Sequence, residues 1–237
     1  MDLSDFSSPT ELYPINPARN IARIGSHTKL FISGDIEQFF VANFEPRMLK
    51  LGNRVLIKEK QAIVLVHRRF EIDLNAKEPK SKADLKTLIK QKKAVPFHQF
   101  VYSLGHNIPG LEEWLESKDE NKSEATIEKI LNYTNAEWEP QFVGDNKRIP
   151  FHDNRFPFRL RSNTHLGTLL CYNGFKFAIV NDLFTYHRGI KRIESRKDTN
   201  LKNLSVKQGY HKMVDQFRNE LYNKFPKMRA RCPLFLP

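Results

Sequence analysis

Asp35-Ile36-Glu37 is an acid-x-acid triplet that follows the short apolar run Lys29-Leu30-Phe31-Ile32. Along an extended chain neighbouring side chains point opposite ways, so positions two apart can aim both carboxylates at one spot. Hard divalent cations such as Mg2+ and Mn2+ prefer oxygen ligands of this kind and keep open positions for a diphosphate. The same triplet also makes ordinary turn and cap residues at a strand end. Upstream, Arg19 and Arg23 are four apart on one face of an expected helix. Guanidinium groups fork onto phosphate oxygens and a helix N-terminus favours anions. Together with Asn20 they are candidate phosphate or ribose ligands; the alternative is a solvated face with a capping Asn.

Positioning these groups needs strands and helices. Asn16-Pro17 is a good helix start, followed by apolar Ala18, Ile21, Ala22 and Ile24, and Gly25 can end that helix. Lys29 to Ile32 reads as a buried strand, and Gln61 to Val66 as a second, which Ile72 extends beyond Arg68-Arg69. Ser81 with Asp84 three residues on predicts a capped helix carrying Leu85, Leu88 and Ile89 up to Lys93. Leu111, Trp114 and Leu115 give a short helix, and the polar stretch Lys118 to Lys129 an exposed loop or helix. Phe175 to Val180 predicts a strand, with a turn at Asn181-Asp182 leading into Phe184 to His187. Tyr210, Met213, Val214, Phe217, Leu221, Tyr222 and Phe225 recur at spacings of three and four, predicting an amphipathic helix over about Ser205 to Phe225. Strands alternating with helices make an α/β domain.

The 237 residues, 40% hydrophobic and 28% charged, exclude disorder and suit one domain. No apolar run approaches the roughly 20 residues that cross a bilayer, so no transmembrane segment is expected. Two cysteines, Cys171 and Cys232, exclude a Cys-based zinc site and leave open one bridge or two free thiols. A net charge of +12 attracts polyanions, yet no nucleic-acid module accompanies it, and no nucleic-acid partner is expected. Sequons at Asn121, Asn132 and Asn203 permit glycosylation in a secretory lumen.

Several blocks occur in an order that resembles the GT-A glycosyltransferases of family 49. They are Tyr13-Pro14-Ile15-Asn16 with Ala18-Arg19-Asn20-Ile21-Ala22-Arg23, then Asp35-Ile36-Glu37, then Ala94-Val95-Pro96-Phe97-His98. His106 and Pro109-Gly110-Leu111-Glu112-Glu113-Trp114-Leu115 follow, then Trp138-Glu139-Pro140 and Pro150-Phe151-His152-Asp153-Asn154-Arg155-Phe156. The last is Asn181-Asp182-Leu183-Phe184-Thr185-Tyr186-His187-Arg188-Gly189-Ile190-Lys191.

The resemblance implies a GT-A-like mixed sheet flanked by helices. It also implies a UDP-sugar donor, Mn2+ or Mg2+, and inverting transfer of a sugar, glucuronic acid being the candidate, to a glycan acceptor in the Golgi. By the same resemblance His187 completes a metal shell with Asp35 and Glu37, Arg19, Asn20 and Arg23 bind the donor, and Asp153 or Glu113 is the catalytic base. As ordinary residues those two acids would be caps or salt-bridge partners. His98 and His106 could line an acceptor groove, and Trp114 and Trp138 could stack on a sugar, or all four could be structural.

Two departures qualify the likeness. Only 34 residues precede Asp35, too few for the whole nucleotide-binding layer, so residues 1–237 are expected to be a single partial domain lacking the first nucleotide-binding strands. Arg159 and Arg161 stand where the family tends to have small residues, and could block or recharge the acceptor site. The rival expectation is an inactive glycan-binding or scaffold protein derived from the family.

Overall fold

The computed structural model describes residues 13–118 and 123–237. The chain runs through α1 (Ile15–Ile24), β1 (Leu30–Ser33), β2 (Phe39–Phe40), α2 (Phe44–Gly52) and a π-helical stretch (Asn53–Lys58). It continues through β3 (Ile63–Ile72), α3 (Lys82–Lys90), β4 (Ala94–Pro96), α4 (Ser103–His106) and α5 (Leu111–Glu116). β5 (Ile127–Leu131), β6 (Phe142–Asp145), α6 (Thr164–Tyr172), β7 (Lys176–Arg188), α7 (Arg196–Lys207) and α8 (Tyr210–Lys224) complete it.

The strands form one mixed sheet of order β1-β6-β3-β7-β2, with β4 on β3 and β5 on β7. β3 and β7 lie parallel at the centre, and the remaining pairs are antiparallel. Every residue of β3 is buried, because helices cover both faces of the sheet; its run Ile63-Val64-Leu65-Val66 is therefore continuously apolar. Leu65, Phe70 and Ile72 pack with Leu51, Leu85, Trp114 and Phe184 beneath α2, α3 and α5. Val64 and Val66 face the other way, onto Tyr133, Trp138, Phe177, Leu170, Val214 and Phe217 beneath α6 and α8. The expected α/β architecture is present, and Trp114 and Trp138 are core residues rather than exposed platforms.

Several local expectations hold. Ser81 Oγ accepts from Asp84 N at 3.1 Å, the cap that starts α3. The stripe Tyr210, Val214, Phe217 and Leu221 is buried along α8.

Others are corrected. The C-terminal helix does not run from Ser205, because Gly209 at φ 90° separates α7 from α8. No turn divides β7 at Asn181-Asp182. Asp182 instead sits in an irregularity at φ 61°, where the register on β3 jumps between Val66 and Arg68, and its carboxylate meets Lys82 Nζ at 3.0 Å and Arg47 Nη2 at 3.3 Å. Part of the stretch expected to be loop or helix is strand β5, held by β7; residues 119–122, including the Asn121 sequon, lie outside the described residues.

β1 is an edge strand rather than a buried one, with Ile32 exposed. α1 begins at Ile15 after Pro14, without a side-chain cap, so Asn16 is inside the helix. α1 also faces the opposite way from the expectation: Asn16, Asn20 and Arg23 are buried, and Ile21 and Ile24 are each 69% exposed. Cys171 and Cys232 form a disulfide that ties α6 to the C-terminal tail.

Candidate active site

Asp35 follows β1 in a turn closed by Gln38 N donating to Asp35 O at 3.3 Å. The backbone is thus not extended across the triplet, and Asp35 and Glu37 are not aligned by strand alternation; Glu37 is exposed. The β1–β6 register pairs Ser33 with Phe142, which brings Gln141 beside the turn. A Cβ at Gly34 would lie 3.1 Å from Gln141 Oε1, so glycine lets Gln141 come close, and its Nε2 donates to Asp35 Oδ2 at 2.7 Å.

Two arginines face the same carboxylate. Arg69 Nη1 lies 3.5 Å from Asp35 Oδ2, and Arg19 Nη2 lies 3.7 Å from Oδ1. Arg69 projects from central strand β3 and is held through one edge and one face. Its Nη2 donates to His106 Nδ1 at 2.6 Å and to Glu139 O at 3.0 Å, and its Cζ stands 4.4 Å from the Phe97 ring centroid. Burial lowers the pKa of both arginines, Asp35 and Glu139 oppose it, and a guanidinium keeps its charge regardless.

The neighbouring titratable groups are pushed toward neutrality. Burial, then Arg69, lowers His98 to about 4 and holds His106 far below the usual imidazole range, so His106 Nδ1 is an acceptor. The 3.7 Å contact of His98 Nε2 with Glu71 Oε1 is therefore not an ion pair at neutral pH. Burial raises the Glu139 carboxyl, Asp35 adds to that, and Arg69, Asn163 and Arg19 oppose it. Burial likewise raises Glu71, against backbone N–H donors from Lys191 and His98. The product is a partly open polar cluster of Asp35, Arg19, Arg69, His98, His106 and Glu139 in which the fixed cations are guanidinium groups.

His187 closes β7 opposite Glu71, with Nδ1 3.4 Å from Gly189 O, and its ring is 6.5 Å from that of Phe97, on which Arg69 stacks. His187 and Asp35 both act electrostatically on His98, so the two lie around one neighbourhood. Among the described residues no three His, Cys, Asp or Glu side chains come together to hold a metal ion. A divalent cation would find Asp35 already facing two guanidinium groups and Glu37 at the surface. This donor arrangement does not fit Mn2+ or Mg2+.

Of the expected donor ligands, only Arg19 reaches the cluster. Its Nη1 donates to Asn16 Oδ1 and Ser162 O. Asn20 binds the chain itself, donating to His152 O and Asn154 Oδ1 at 2.8 Å and accepting from His152 N at 2.9 Å. Arg23 is clamped between the Phe31 and Phe151 rings and donates to Asn146 Oδ1 and to the carbonyls of Asn146, Ile149 and Pro150.

The two expected bases are elsewhere. Asp153 is gripped by Arg155, which also binds Glu220; burial would raise its pKa, but the Arg155 bonds win and lower it. Glu113 is exposed on α5, near Arg68, which leaves β3 on the side opposite to Arg69. Arg159 pairs with Asp198 at 2.9 Å and Arg161 donates to Ala136 O at 2.9 Å. Glu139 and Arg69 are what the motif reading passed over. The signal for Arg69 was a charged pair, Arg68-Arg69, between the apolar run Ile63 to Val66 and Ile72; for Glu139 it was the Trp-Glu-Pro block itself.

A family model described as glycosyl-transferase for dystroglycan matches residues 5–226. Beta-1,4-glucuronyltransferase 1 of Danio rerio is 26% identical over 225 residues, covering 93% of this chain and 49% of the relative. The human protein of that name is 25% identical over 226 residues, covering 93% and 50%. The glycosyltransferase-like protein LARGE of Caenorhabditis elegans is 25% identical over 230 residues, covering 92% and 34%. The chain thus spans half, or a third, of the length of these relatives. The mixed sheet with helices on both faces is consistent with a GT-A-like fold.

Proposed function

The chain belongs to the family of glycosyl-transferases for dystroglycan, and from that premise we propose that it transfers a sugar from a UDP-sugar donor to a glycan hydroxyl with inversion, glucuronic acid being the candidate sugar. The observation that carries this reading is the partly open cluster in which Arg19 and Arg69 face Asp35 and the Glu139 carboxyl acts on all three. In the transfer the acceptor oxygen bonds to the anomeric carbon, the bond from that carbon to the diphosphate oxygen breaks, and the hydroxyl proton must go to a base. Glu139 is the base in this reading. A carboxyl raised by burial holds a proton more tightly than an exposed one, and this one stands beside the fixed charges of Arg69 and Arg19. His98 and His106, kept neutral, line the same cluster as hydrogen-bonding groups.

The Golgi lumen is the proposed location. The disulfide supports it, because such bridges persist in oxidising compartments.

The test is release of UDP and formation of a glycosylated product from UDP-glucuronic acid and a panel of glycan acceptors, read by mass spectrometry. Glu139→Gln is expected to lower kcat by roughly 100-fold with UDP affinity retained. Full activity in that variant would remove Glu139 as base. UDP binding without any turnover would leave the scaffold reading.

A further inference from the structure

We propose that Arg69 and Arg19 hold the donor's diphosphate directly, in the place a divalent cation takes beside an acid-x-acid carboxylate, so that donor binding by this chain needs no metal. This rests on the reading of the cluster as the donor site and adds to it the means by which the diphosphate is held.

Geometry carries the argument. Arg69 is 9% exposed, rises from the central strand of the sheet, and is fixed by the Phe97 face, His106 Nδ1 and Glu139 O, so its position is built rather than adventitious. Those contacts use Nη2. The edge turned toward Asp35 is Nη1, at 3.5 Å, and the corresponding edge of Arg19 is Nη2, at 3.7 Å. Both distances exceed the 2.7–2.9 Å typical of a charge-assisted hydrogen bond. The close partner of Asp35 is instead the Gln141 amide, at 2.7 Å. The two guanidinium edges therefore still have hydrogen-bonding capacity for an incoming anion.

The gap between them opens to solvent on the side of Asp35 and Arg19. The Asp35 side chain is 34% exposed and that of Arg19 is 21% exposed, so an anion can reach the gap between the arginines. Two guanidinium forks converge on Asp35, with Glu139 the further acid that acts on both, and together they offer paired donors to a diphosphate. A planar guanidinium binds phosphate oxygens in pairs. A dication in the same gap would meet two fixed positive charges within a few ångströms of its one carboxylate ligand.

Calorimetric titration of the intact chain with UDP, once in EDTA and once in Mn2+, tests this, with Mn2+ uptake followed separately by electron paramagnetic resonance. UDP is expected to bind in EDTA with an affinity that added Mn2+ leaves within about twofold. Arg69→Gln is expected to weaken that binding by at least roughly tenfold, the loss of one charged hydrogen bond. Arg19→Gln, on a more exposed side chain, should weaken it in the same direction and serves if the Arg69 variant does not melt cooperatively. UDP binding that appears only with Mn2+, alongside Mn2+ uptake by the wild type, would overturn the inference and leave the donor site standing. EDTA-resistant binding untouched by either substitution would also overturn it. No UDP binding under any condition would bring down the donor reading itself.

Discussion

Asn20 and Arg23 are donor-rich residues that spend their donors on the chain's own carbonyls. Each of the Asn20 bonds is buried or half-buried, so removing the amide strands backbone groups of the 152–154 segment. Asn20→Leu should therefore destabilise the fold by about 1–3 kcal/mol. UDP affinity of the folded fraction should stay within about twofold, since Asn20 does not face Asp35. Urea unfolding beside calorimetry checks both; a selective loss of UDP binding at unchanged stability would restore Asn20 as a donor ligand. Composition and helical spacing do not distinguish an arginine aimed at a phosphate from one aimed at a carbonyl, because the same N–H groups serve both. That is why Arg19 and Arg23, four residues apart, could share one expectation and yet end in different surroundings.

The helix α1 explains that outcome, because its polar face is the buried one. Apolar periodicity identified the helix and its end at Gly25 but assigned the wrong side to the core, since the 146–156 segment meets it mainly with backbone carbonyls, which the polar face satisfies. Elsewhere the patterns were legible where one physical cause dominates: the capped start of α3, the buried run of β3, the stripe of α8. They failed where tertiary pairing decides, as at Asp182, where a turn-forming dipeptide stays within β7 because Lys82 and Arg47 satisfy its carboxylate. The pairing of Cys171 with Cys232 was open in the sequence and depends on the chain after α8 returning to α6. The two are 61 residues apart, and closing a loop of that size stabilises by about 4 kcal/mol in the chain-entropy model. Reduction, or Cys171→Ser with Cys232→Ser, is expected to lower the unfolding free energy by about 2–4 kcal/mol in urea titration. An unchanged midpoint would show that the tail is held by Phe235 and its ring contacts alone.

Across the whole molecule, buried histidines tie stability to pH. Burial takes His67 to about 3 and His165 to about 4, and His98 to about 4 with help from Arg69. The folded chain keeps these rings neutral while the unfolded chain protonates them near 6.5, so stability present above that pH is lost as pH falls toward 4. The slope is up to about 1.4 kcal/mol per pH unit for each ring. Glu71 and Glu139, whose pKa values are raised, take up protons earlier in the folded state and offset part of the loss. Urea midpoints at pH 7.5 and 5.5 should fall with acidity, and His67→Leu should flatten the fall; a level profile would contradict the burial of these rings. The site was legible in the sequence as far as Asp35 and Arg19. Arg69 and Glu139 join them only through the neighbouring strands β1, β6 and β3, a relation that no local spacing encodes. Whether that junction is the donor site is read most directly by hydrogen exchange with and without saturating UDP. The account predicts protection in the segments holding Arg19, Asp35, Arg69 and Glu139, around residues 16–23, 33–38, 68–71 and 138–142. Protection elsewhere, with these four segments unchanged, would contradict it.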